Sequence, residues 1–130
     1  MIRRPQGPAV DIQFYEPAEA PLPPDEVSFR EFVVEPLADG RRVRLSLSIT
    51  PFQQRPSIEV EILDPGGQQM SLTSIVEATD VSMSLTMHMR GEATTGEYTA
   101  LARLYYPPHP PVDQARAAFQ LPAAGGQPAK

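Results

Sequence analysis

The residues with the most chemical potential are four neighbours late in the chain, Met83, Met87, Met89 and His88. Clustered thioethers beside an imidazole are the soft donor set that Cu(I) prefers. Their spacing argues against a site. At the two-residue period of a strand, the three methionines share one face with Leu85, where methionine serves as adaptable packing, and His88 points the opposite way. Zinc would need His88 and His109 joined by carboxylates from distant positions, because no ligand-spacing motif is present and the chain contains no cysteine. His109 lies in Pro107-Pro108-His109-Pro110-Pro111, whose rigid prolines are expected to hold it out on a loop. No metal and no other cofactor is therefore implied.

Covalent and acid–base chemistry fare no better. A serine nucleophile needs a base in reach and a turn to present it, and no Gly-x-Ser-x-Gly elbow occurs. Glu59 and Glu61 fall on one side of an alternating run, but that side faces solvent, where paired acids protect a sheet edge and aid solubility. Gly66-Gly67 and the pair Gly91 and Gly96 have the wrong spacing for a phosphate-cradling loop and precede no helical pattern. Arg41, Arg42 and Arg44, with Arg103, are read as a solvated strand end that Asp39, Glu59 and Glu61 neutralise across strands. The sequence reads as a protein that is not an enzyme.

The elements that position these residues follow from composition and period. At 130 residues the chain makes one domain, able to bury roughly two-thirds of its extended surface without disulfides. Sixteen acids against eleven bases leave a net charge of -5 and no basic run, which excludes nucleic acid as an expected partner. The start Met1-Ile2-Arg3-Arg4-Pro5 is basic, but prolines and acids replace the apolar run of a signal peptide, and no stretch is apolar enough to span a membrane. A cytoplasmic location is the expectation.

Of the 16 prolines, those in the central stretch are few, so regular structure belongs there. Its hydrophobic period is 2. Val43, Leu45, Leu47 and Ile49 alternate with Arg42, Arg44, Ser46 and Ser48, and Ile58, Val60 and Ile62 alternate with Glu59 and Glu61. The same pattern runs through Met83 to Met89 and through Tyr98, Ala100, Ala102, Leu104 and Tyr106. Turn chemistry falls between the runs at Asp39-Gly40, Asp64-Pro65-Gly66-Gly67, Arg90-Gly91 and Gly96. Strands are thus expected near 27–35, 41–50, 57–63, 69–76, 82–90, 97–106 and 114–121, with Ser74 breaking the alternation of the fourth. Seven short strands with regular turns predict an all-β, antiparallel sandwich.

Gly96-Glu97-Tyr98-Thr99-Ala100 at the start of the sixth strand resembles the immunoglobulin-like pattern in which a tyrosine forms a "tyrosine corner". The cysteines and tryptophan of antibody domains are missing, with Ala100 at the second cysteine position. The resemblance is to prokaryotic immunoglobulin-like or fibronectin type III-like sandwich domains and covers about residues 27–121. It implies a fold without a fixed activity, and it implies that Tyr98 is buried with its hydroxyl bonded to backbone in the 92–96 turn, Gly96 being the other residue of the corner.

Two strands place apolar groups on both faces. In 27–35, Val27, Phe29 and Val33 oppose Phe32 and Val34, which a bulge would turn inward together. In 97–106, Leu101 and Tyr105 oppose the core set, and something is expected to cover them. One candidate is the Pro-rich arm 1–26, in which Val10 to Tyr15 alternates like a strand, so that 9–15 is expected to order against a sheet edge in cis or in trans. The sandwich is expected over 27–121, and the tail 122–130, with nothing to bury, is expected to be disordered. The function that fits is a non-catalytic interaction or accessory module, monomer or homodimer, whose partner is another protein touching Leu101, Tyr105 and His109. The alternative is a ligand-binding sandwich, either for carbohydrate through Tyr105, Tyr106 and Phe52 or for copper through the methionines.

Overall fold

The computed structural model describes residues 20–91 and 95–121. Seven strands follow a short 3-10 turn at Pro24–Glu26: β1 (Phe29–Pro36), β2 (Arg42–Ile49), β3 (Ser57–Leu63), β4 (Gln69–Ile75), β5 (Ser82–His88), β6 (Tyr98–Tyr105) and β7 (Asp113–Phe119). Every pairing is antiparallel. The strands form a three-stranded sheet in the order β1-β2-β5 and a four-stranded sheet in the order β4-β3-β6-β7. The expected all-β sandwich and its seven strands are present, with ends displaced by a residue or two. Ser74 itself keeps a regular register, and the irregularity of the fourth strand is a bulge at its start: β3 steps from Ile62 to Leu63 while β4 steps from Ser71 to Gln69, so Met70 is the extra residue and Leu72 falls on the solvent side. The expected arm segment 9–15 and tail 122–130 lie outside the described residues.

Alternation makes the core. Val43, Leu45, Leu47 and Ile49 from β2, Ile58, Val60 and Ile62 from β3, and Tyr98, Ala100, Ala102 and Leu104 from β6 are all buried between the sheets. Small residues meet in the middle of the four-stranded sheet, where Ala100 and Ala102 pair with Ala117 and Ala115. At one end of that row the rings of Tyr98 and Phe119 stack with centroids 5.6 Å apart. In β1 the register shifts between Phe29 and Glu31. This bulge turns Phe29, Phe32 and Val34 against the core and leaves Val33 in solvent, which resolves the two-faced pattern of that strand.

The expected turns close one end of the sandwich. Asp64 accepts from the backbone N–H of Gly66 (2.9 Å) and Gln68 (2.8 Å), and Asp39 accepts from those of Arg41 (2.9 Å) and Arg42 (3.1 Å). At the opposite end, here the loop end, lie the chain entry and the connections 50–56, 76–81 and 106–112. The entry is anchored by a parallel bridge between Leu22 and Phe52. Along the sides, β1 and β7 run together, and the Phe29 N–H donates to the Asp113 carboxylate at 2.8 Å. On the other side β4 and β5 touch over a shorter stretch, bonded where the Arg90 N–H meets the Met70 carbonyl at 2.9 Å.

Candidate functional site

The histidines do not meet. His88 is exposed at the turn end of β5, opposite Arg42, while His109 is exposed in the loop between β6 and β7, with its N–H bonded to the Tyr106 carbonyl at 2.8 Å. Met83 and Met87 turn inward with Leu85, and Met89 is buried just beyond the strand. His88 faces away from all of them, as period 2 requires. Among the described residues, no group of three His, Cys, Asp or Glu side chains is placed to hold a metal ion.

The arginines divide between the two sheets. Arg42 pairs with Asp39 at 2.7 Å on the turn between β1 and β2. Two backbone N–H donors and this guanidinium hold the Asp39 carboxyl at about 2, below its ordinary 3.8. Arg103 lies on the outer face of the four-stranded sheet, where Glu59 (3.3 Å) and Glu61 (3.2 Å) both bind it. The expectation that Glu59 and Glu61 neutralise Arg41, Arg42 and Arg44 is thereby corrected: the two acids sit on β3, which pairs with β6 and not with β2.

That charged row bears on Leu101. Its Cα partners across the sheet are Glu61 and Arg116, and it is only 7% exposed although it points away from the core. Long charged side chains can cover apolar surface with their stems. Tyr105, at the loop end of the same strand, stays half-exposed.

Tyr98 is fully buried at the start of β6. The expected acceptor turn includes 92–94, which lies outside the described residues. Gly96 has φ +127°, and a Cβ there would lie 2.8 Å from Pro65 Cγ. Glycine is required by both conformation and space. The aromatic trio of the carbohydrate alternative is not assembled on one surface. Tyr106 is buried, with its hydroxyl donating to the Gln54 carbonyl at 3.0 Å, and Phe52 packs against the core beside Leu22. Burial pushes the Tyr106 phenol up.

Sequence reasoning missed the loop end as an apolar surface. Val76 (72% exposed), Val81 (40%) and Val112 (38%) all lie in its connections. Val76 and Pro107 line a hollow of about 160 Å³ with Gln54, Arg55, Glu77 and Tyr106. Glu77 has φ +51° and its N–H is bonded to the buried Ser57 hydroxyl at 3.2 Å. The available signal was Val81 and Val112 standing just outside the expected strands, where a loop would ordinarily be polar, while Val76, expected as the inward end of the fourth strand, proves exposed.

No protein-family model matches the sequence, and no curated protein matches it. Solved structures do. A glycosyl hydrolase family 2 member from Bacteroides cellulosilyticus DSM 14838 is similar over 73% of this chain, at 11% identity and a TM-score of 0.56. The β-glucuronidase of Parabacteroides merdae is similar over the same share, at 10% identity and a TM-score of 0.54. The chain spans 15% and 13% of the lengths of those two proteins. The likeness is one of fold: a small β-sandwich portion of much longer chains. No helix among the described residues is long and apolar enough to cross a membrane.

Proposed function

We propose that this chain is a non-catalytic β-sandwich module that binds another protein, and that it docks through its loop end. The observation that carries this reading is that Val76, Val81 and Val112 are all exposed in the connections of that end, which also carries Tyr105, His109 and the prolines around it. Soluble proteins seldom leave clustered apolar groups in water unless something binds them. Loops at the ends of a sandwich are also the positions most free to vary without disturbing the core. Tyr105 and His109 contribute contact area, and Leu101 supports the adjoining outer face from beneath its charged neighbours. The occurrence of a similar fold as a small part of longer glycosyl hydrolase chains supports an accessory role.

We also infer that the sandwich is of the immunoglobulin-like or fibronectin type III-like kind. Supporting this are the three-plus-four strand arrangement and the buried tyrosine that follows Gly96. One departure is that β4 pairs with β3, whereas the immunoglobulin constant-type order places the fourth strand beside the fifth.

Native mass spectrometry of the untagged full-length chain tests the non-catalytic reading. The expected spectrum is bare protein; a retained metal, sugar or other small molecule overturns it. Crosslinking in extracts of the source cells tests the surface. Wild type is expected to capture a protein that Val76→Glu combined with Tyr105→Glu does not, with coincident melting curves, and undiminished capture by the variant overturns the loop-end assignment.

A further inference from the structure

An edge strand exposes a row of unpaired backbone groups, and proteins ordinarily blunt such rows with charge, proline or a bulge. Three of the four edges here are blunted or unsuited to self-pairing. β1 has Arg30, Glu31, Glu35, Pro36 and a bulge; β7 has Asp113 and Arg116 and runs beside β1. β4 is uncharged, but its pairing is interrupted at Ile62/Leu63. β5 has none of these devices. Ser82-Met83-Ser84-Leu85-Thr86-Met87-His88 contains no acid, lysine, arginine or proline, pairs with β2 without a register shift, and among the described residues has no strand paired on its other side, which β4 approaches only over a short stretch ending in the Arg90–Met70 bond.

The hydrogen-bond phase shows which groups are free. The Ile49 N–H donates to the Val81 carbonyl and the Met89 N–H to the Arg41 carbonyl, both at 2.8 Å. Odd-numbered residues of β5 therefore bond to β2, while the amides and carbonyls of Ser82, Ser84, Thr86 and His88 point outward. The inward side chains are also incompletely covered: Met83 and Leu85 are only partly buried, whereas their β2 partners Leu47 and Leu45 are buried.

What fits this edge is written in its own sequence, which is nearly palindromic about Leu85. Reflection places Met83 on Met87, Ser84 on Thr86 and Ser82 on His88. In two copies related by a two-fold axis and paired antiparallel, every residue opposes its mirror position, so this near-palindrome brings like side chains together. We propose that β5 pairs with β5 of a second copy of this chain, with Leu85 on the dyad, to join two three-stranded sheets into one of six strands. Methionine then meets methionine and leucine meets leucine on the core side, and hydroxyls meet hydroxyls or imidazole on the solvent side. All four outward residues find backbone partners. Charge selects the same edge: copies each carrying -5 repel, and β5 brings no acid to the contact, while the β2 residues behind its turn-end half are Arg42 and Arg44. β4 fails the same test, since reflection about Leu72 sets Met70 against Ser74 and Gln69 against Ile75.

This surface is distinct from the loop end, so either assignment can fail alone. The chain has no cysteine, which makes Leu85→Cys a clean trap. At a dyad in a non-hydrogen-bonded pair the two Cα atoms lie about 4.5 Å apart, within disulfide range. Mild oxidation of the full-length Leu85→Cys variant is expected to give a covalent dimer, and Val33→Cys, at an exposed position on β1, is expected to give none. By sedimentation the wild type is expected to be a concentration-dependent dimer. Thr86→Pro removes only an outward N–H and is expected to abolish the dimer without changing the melting temperature of the dilute monomer. Ser84→Lys, which leaves the backbone intact, is expected to do the same. A wild type that stays monomeric up to millimolar concentration overturns the proposal, as does a dimer that survives both substitutions or a Leu85→Cys variant that crosslinks no better than Val33→Cys.

Discussion

The two sides of this sandwich are finished differently. Along the β1/β7 side a bulge, a proline, charges of both signs and the bond from Phe29 to Asp113 close the edges. Along the β4/β5 side the strands carry no charge, and the sheets meet over a short stretch where the Arg90 N–H bonds to the Met70 carbonyl. One side is sealed within the monomer and the other is left able to pair. The lesson is that an edge is protected by what its strand carries, and that leaving out the protection can itself be a specification.

The largest expected effect lies on the sealed side of the four-stranded sheet. Tyr98→Ala removes a fully buried ring stacked on Phe119 and is expected to cost about 4 kcal/mol, read by denaturant unfolding. Leucines sharpen the contrast directly, because Leu45 and Leu85 are Cα partners. Leu45→Ala is expected to cost about 3 kcal/mol and Leu85→Ala less, about 2 kcal/mol, in dilute solution, since the latter is only partly buried. Equal costs would break the distinction.

Gly96→Ala tests how tightly the turn end of the four-stranded sheet is packed. A Cβ at 2.8 Å from Pro65 Cγ, on a residue with φ +127°, is expected to cost about 2 kcal/mol, and a neutral melting temperature would show that the two turns move apart freely. Asp113→Ala removes the acceptor of the Phe29 N–H and is expected to cost about 1 kcal/mol. The smallest effect is at the exposed Asp39. Its folded value lies below the ordinary one, so its stabilising contribution is complete above about pH 4 and is lost as pH falls toward 2. Asp39→Ala is expected to flatten that part of the acid unfolding curve and leave stability differences from wild type unchanged at higher pH.

Much of this was legible in the residues. Val43 to Ile49 can be a strand with one buried face and little else, and Asp64 to Gly67 can be read as a turn from its chemistry. The bulge in β1 was foreshadowed by Phe32 and Val34 falling out of phase with Phe29. Strand order was not legible, because it is fixed by which sheet each crossover joins, and that depends on the whole core. Glu59 and Glu61 therefore looked like partners for the arginines of β2 and proved to hold Arg103. The burial of Leu101 was hidden for the same reason: its neighbours come from β3 and β7. The palindrome of β5 was visible as letters, but it acquired meaning only when the strand was found at an edge.

The most direct test of the two-sided account is amide hydrogen exchange of the full-length chain across a concentration series. The outward amides of Ser82, Ser84, Thr86 and His88 are expected to exchange fast in dilute solution and to become protected as concentration rises, while the outward amides of β1 do not change. Exchange at β5 that is insensitive to concentration, or protection that grows equally on β1, would contradict it.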